Sequence, residues 1–120
     1  MIPTATKEQE TAQRERRASV RHEMDVRVML MIGDGTTVRG AIGRSNDISE
    51  GGIGAFLPAS LNIGQMCALQ FKLPGGEPME VTGRVRTRSS FRYGFEFATL
   101  SSQQREQIKR ACETLAAMQK

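Results

Sequence analysis

Two short segments hold the residues of this chain best suited to chemistry. The first, Arg16-Arg17-Ala18-Ser19-Val20-Arg21, combines with Arg14 to place four arginines within eight residues, opposed only by Glu15. A guanidinium is a planar fork of fixed donors that grips phosphate in pairs of hydrogen bonds or stacks on an aromatic face, which a lysine ammonium does less well. Charge clustered in this way makes a local field rather than merely aiding solubility, so the run predicts an anionic ligand. The second segment, Asp47-Ile48-Ser49-Glu50-Gly51-Gly52, supplies complementary groups. The Asp47 carboxylate accepts from N–H donors, Ser49 donates or accepts, and Gly52, next to Gly51, lacks the side chain that would block close approach.

Other chemistries find little support in the sequence. His22 is the one histidine, and Cys67 and Cys112 have no CxxC spacing, so zinc ligation and a disulfide framework are not expected. The cysteines read as reduced packing residues. No nucleophile–base pattern is present, so neither catalysis nor a metal or cofactor is expected. Arg84, Arg86 and Arg88 form a second basic group that reads as the solvated face of a strand and stays outside the candidate site. Arg92-Tyr93-Gly94-Phe95-Glu96-Phe97 only superficially matches an RNA-recognition signature, because the glycine after the basic residue is missing and Glu96 stands at an apolar position.

The elements that must position these segments follow from hydrophobic period. The chain has 120 residues and a net charge of +4, the size of one ordinary domain. Residues 1–13 are poor in large apolar side chains and read as a flexible tail. Val26, Val28, Leu30 and Ile32 alternate with polar or flexible neighbours as in a half-buried strand, which Gly33-Asp34-Gly35 then turns. Further strands are expected over 37–45, 54–57 and 66–73, with Asn46 to Gly52 as a loop and Pro74-Gly75-Gly76 as a turn. Val81, Gly83 and Val85 form one more apolar face, and Phe91, Tyr93, Phe95 and Phe97 another, the two runs pairing as a hairpin. Only the last segment changes period: Ile108, Ala111, Cys112 and Leu115 lie on one face of a helix, and Ser101 with Gln104 forms a capping box at its start. Mainly β architecture results, a small six-stranded antiparallel β-barrel with a C-terminal α-helix and a flexible N-terminal arm.

On these residues the chain resembles the PilZ domain family. Arg17 and Arg21 match its RxxxR motif, and Asp47, Ser49 and Gly52 match its [D/N]xSxxG motif, in the family's order and at a typical separation. Gly83 to Val85 and Tyr93 to Phe97 are similar to its late-strand pattern, and no required position departs from it. The resemblance implies a PilZ domain over 14–120, with an arm at 14–23, a barrel at 24–99 and a helix at 101–119. It further implies a receptor for cyclic di-GMP, with Arg16, Arg17, Arg21, Asp47, Ser49, Gly51 and Gly52 as the ligand-binding residues. The arm would wrap the ligand against the barrel, and the basic residue Arg16 implies two stacked ligand molecules per protein.

The residue types suit that ligand, since a guanine edge shows O6 and N7 acceptors to an arginine fork and N–H donors to a carboxylate. A chain of this size without an output domain would act through a protein partner. No apolar run reaches the roughly 18 to 20 residues that cross a bilayer, and no secretion signal is evident, so no membrane insertion and a bacterial cytoplasmic location are expected. Two other readings compete: a basic barrel binding single-stranded nucleic acid, and an adaptor that meets its partner without nucleotide. Steep salt dependence would mark the first.

Overall fold

Alternating apolar residues set the strands. In the computed structural model, which describes residues 20–33 and 37–119, seven strands and one helix follow in chain order. They are β1 His22–Glu23, β2 Arg27–Gly33, β3 Val38–Ser49, β4 Gly52–Phe56, β5 Met66–Lys72, β6 Pro78–Ser89, β7 Arg92–Thr99 and α1 Ser102–Met118. The tail, Arg14, Arg16 and Arg17 of the arm, and the Asp34-Gly35 turn lie outside the described residues.

Hydrogen-bonded neighbours run β3-β2-β5-β6-β7-β4, every pair antiparallel, and β4 returns to β3 to close six strands into a barrel. β1 is an extra strand laid on β3, with His22 opposite Ile48 and Glu23 opposite Asp47. Closure removes the sticky edges that a half-buried open sheet would present. The inward faces meet in one core that includes Val28, Leu30, Ile48, Ile53, Leu69, Val85, Tyr93 and Phe95. The helix covers the barrel with Ile108, Cys112 and Leu115, and burying a side chain of this size is worth about 1.5–3 kcal/mol. Its capping box is formed as expected, the Ser101 hydroxyl accepting from the Gln104 N–H at 3.0 Å and the Gln104 side chain accepting from the Ser101 N–H at 3.1 Å. Gln104 also donates to the Glu80 carbonyl of β6, and Gln119 to the Glu23 carbonyl of β1, both at 2.8 Å, so both ends of the helix are tied to the barrel.

Three expectations need correction. The polar stretch Asn46 to Gly52 is not a loop: β3 continues to Ser49 and β4 begins at Gly52, leaving only Glu50-Gly51 as the turn. Ile48 is fully buried and its backbone pairs with His22 on one side and Ile53 on the other, and that pairing outweighs the turn propensity of the residues around it. Phe91 leaves the apolar face assigned to it and stands exposed, because the β6–β7 hairpin turns at Ser90-Phe91 with Ser90 at φ 58°. Arg88 is more than a solvated strand residue, since it donates to the Leu61 carbonyl at 2.8 Å and its guanidinium lies 5.4 Å from the Tyr93 ring centre.

Candidate functional site

Asp47 owes its position to an irregularity in β3. The pairing of β3 with β4 runs Ser45 to Ala55 and then Asp47 to Gly54, which leaves Asn46 as an extra residue, a β-bulge. Bulges bend a strand and re-aim its side chains. The Asp47 side chain, 15% exposed, receives Arg21 Nη1 on Oδ1 at 2.8 Å and Asn46 Nδ2 on Oδ2 at 3.0 Å. Arg92 Nη2 of β7 stands 4.0 Å from Oδ2. One carboxylate thus faces two guanidinium groups and an amide. A carboxylate has about four acceptor positions, so it retains capacity for donors from a ligand.

A second bulge lies on the far side of the same surface. β6 pairs with β7 as Val85 to Phe95 and then Thr87 to Gly94, which makes Arg86 the extra residue. Between the bulges a single row of partners crosses four strands: Asp47, Gly54, Gly94, Thr87. The two central positions carry no side chain, and the outer two lean over them. A Cβ on Gly54 would meet Asp47 Oδ1 at 2.6 Å, and one on Gly94 would meet Thr87 Oγ1 at 2.3 Å.

Two open clefts flank this row and share Arg21, Thr87 and Gly94. One, of about 290 Å³, is walled by Asn46, Asp47, Arg88 and Arg92. The other, of about 470 Å³, is walled by Ser49, Gly51, Gly52, Arg86 and Glu96. Together they reach the size of small-ligand sites, roughly 300–1,000 Å³. Arg92 also lies 6.0 Å from the centre of the exposed Phe56 ring, so a cation, an aromatic face and an acceptor adjoin here.

The residues singled out in the sequence are therefore distributed as follows. Arg21 and Asp47 are in contact. Ser49 is buried and spends its hydroxyl on the β3–β4 turn, accepting from the Gly52 N–H at 3.1 Å and facing the Gly52 carbonyl at 3.4 Å. The Gly51 carbonyl accepts from the Phe97 N–H at 2.9 Å. Gly52 packs so close to β7 that a Cβ would lie 2.1 Å from the Phe95 carbonyl oxygen. Arg16 and Arg17 lie outside the described residues. The structure adds Asn46, Thr87, Arg88 and Arg92 to the surroundings. Their signals in the sequence were the basic group that includes Arg88 and the glycine inside the last strand pattern, Gly94, since an interior strand glycine marks a bulge or a close approach. Among the described residues no cluster of three or more His, Cys, Asp or Glu is placed to hold a metal, and no helix is long and apolar enough to cross a membrane.

The sequence model of the PilZ domain family matches residues 15–114. No curated protein matches the chain. Among solved structures, the PilZ domain of CeSA from a cellulose-synthesizing bacterium is similar at 20% identity and a TM-score of 0.60, covering 85% of this chain and 100% of that one. The PilZ domain of YcgR from Escherichia coli, solved with c-di-GMP, is similar at 18% identity and a TM-score of 0.66, covering 82% and 90%. The Bacillus subtilis inhibitor of motility MotI/DgrA is similar at 19% identity and a TM-score of 0.69, with 84% of this chain covering 51% of that one. At these identities the likeness is one of fold.

Proposed function

The chain belongs to the PilZ domain family, and on that premise we propose that it is a cyclic di-GMP receptor that passes the signal to a protein partner. One observation carries this reading: Arg21 and Asp47, one from each motif and 26 residues apart, meet at 2.8 Å. The two segments therefore reach a single molecule.

Binding exchanges an ion pair for contacts to the ligand. A partly exposed ion pair such as Arg21–Asp47 is worth about 0–1 kcal/mol. A guanine presenting its N–H groups to Asp47 and its O6 and N7 to an arginine fork is told from other bases by roughly 1–3 kcal/mol for each bidentate contact. Ordering arm residues costs about 1–2 kcal/mol each, so the arm orders only where several ligand contacts form together. Arg16, Arg17 and Arg21 supply the forks. Gly51 and the Gly52 backbone meet the ligand at the β3–β4 turn, whose shape the Ser49 hydroxyl holds. The two clefts sharing Arg21 form one seat, and Arg16 stacks on a second ligand molecule intercalated with the first. Closing the arm reshapes one face of the barrel for the partner. The setting is the bacterial cytosol, and no chemical step is part of this reading.

Titration calorimetry with cyclic di-GMP tests the proposal. The wild type should bind, Arg21→Ala and Asp47→Ala should each lose at least about tenfold in affinity, as expected for charge-assisted contacts worth 1.5–3 kcal/mol, and Arg16→Leu should lower the stoichiometry. A wild type that does not bind, or an Arg21→Ala variant that binds equally well, overturns it.

A further inference from the structure

Thr87 lies outside both sequence motifs, yet its place in the barrel is as well determined as that of Asp47. It ends the row Asp47, Gly54, Gly94, Thr87, and the β6 bulge at Arg86 immediately precedes it, as the bulge at Asn46 precedes Asp47. Its hydroxyl lies flat over Gly94, where any Cβ would come within 2.3 Å of Oγ1. Any side chain at position 94 would displace it. Thr87 is exposed and lines both clefts, and its hydroxyl makes no hydrogen bond to another described residue. Two neighbours on the same surface are committed, Arg88 to Leu61 and Arg86 to Glu96 at 3.3 Å.

We infer that the Thr87 hydroxyl, set over Gly94 at the end of the row opposite Asp47, is a ligand-contacting and specificity-determining group that donates to an acceptor on the guanine edge. The inference rests on the cyclic di-GMP reading. Strands lie about 4.8 Å apart, so the row follows the curved wall for roughly 14 Å and its straight span is shorter. Both end groups lean inward and narrow that span to a seat for planar bases. Asp47 at one end attracts N–H donors and repels phosphate, which turns the bases rather than the phosphates towards the row. A guanine held there by its N–H groups, with an arginine fork on N7 and O6, keeps a second lone pair on O6, and an unpaired hydroxyl donates to it.

Calorimetry with cyclic di-GMP on Thr87→Val and Thr87→Ser is the test, with Arg21→Ala as control and a melting curve for each variant. Valine keeps the branched shape and strand preference and removes only the donor. Thr87→Val should weaken binding roughly 2- to 12-fold, the factor a net hydrogen bond corresponds to, with an unchanged melting temperature. Thr87→Ser should restore wild-type affinity. If Thr87→Val binds as the wild type does while Arg21→Ala does not, the inference about Thr87 fails and the receptor reading stands. If Thr87→Ser loses as much as Thr87→Val, the hydroxyl is not the agent and the inference fails as well. If the wild type does not bind, the receptor reading falls and takes this inference with it.

Discussion

Gly52→Ala separates two reasons for having a glycine in the β3–β4 turn. The motif suggests room for a ligand, whereas the barrel places the α-carbon against β7. A Cβ at this position would stand 2.1 Å from the Phe95 carbonyl oxygen and 3.1 Å from its carbonyl carbon. Ordinary contact begins near 3.4 Å, so β7 would have to retreat by about 1.3 Å, the difference between the two. The retreat strains the Phe97-to-Gly51 backbone hydrogen bond and pulls Phe95 from Ile53, both of them core residues. Overpacking costs roughly 1–3 kcal/mol and a weakened hydrogen bond up to about 1 kcal/mol. A stiffer unfolded chain returns about 0.4–1 kcal/mol. At mid-range the balance is a loss of about 2 kcal/mol, which at this chain length lowers Tm by roughly 7–8 °C. Differential scanning calorimetry of the ligand-free protein, backed by urea denaturation, measures it. A melting temperature within about 2 °C of wild type, under half a kcal/mol at this size, together with a collapse of cyclic di-GMP affinity, would refute the packing argument and return the glycine to the ligand.

Two further perturbations follow from buried groups. Tyr93→Phe deletes a hydroxyl that accepts from the Leu61 N–H at 3.1 Å and donates to the Ala59 carbonyl. Stranding these buried groups should cost about 1–3 kcal/mol in urea denaturation and speed amide exchange at Leu61, and unchanged exchange there would count against it. Burial pushes the Cys67 thiol up from 9.0 to about 11, and burial with help from Glu50 and Glu113 does the same for Cys112. The protonated thiols therefore favour the fold: their contribution is complete below pH 9.0 and is lost as pH rises through about 11. Urea midpoints should fall across that window, and Cys67→Ala with Cys112→Ala should flatten the slope. A wild-type midpoint independent of pH there would contradict it.

Much of the barrel was legible because strand period is a local property. Val28 and Leu30, Val81 and Val85, and Tyr93 and Phe95 point inward as their alternation requires. The helix face and its cap could be read from Ser101, Gln104, Ile108, Cys112 and Leu115 for the same reason. Asn46 to Ser49 misled because polar residues with turn propensity sit on a strand held by β1 from earlier in the chain and by β4 across the short Glu50-Gly51 turn. Phe91 misled because apolar alternation runs on through a hairpin turn that nothing in residue type announces.

From the chain alone came the residue kinds a guanine nucleotide needs, the guanidinium forks and the acidic turn, together with the family pattern that joins them. Those are matters of type and short spacing. Register decided the rest. Two bulges and the pairing of four strands bring Asp47, Thr87 and Arg92 onto the surface that Arg21 reaches, and the same closure turns Ser49 and Gly52 towards the protein's own turn and its neighbouring strand. The meetings of Arg21 with Asp47 and of Gly54 with Gly94 join residues tens of positions apart, and period along the chain is blind to them.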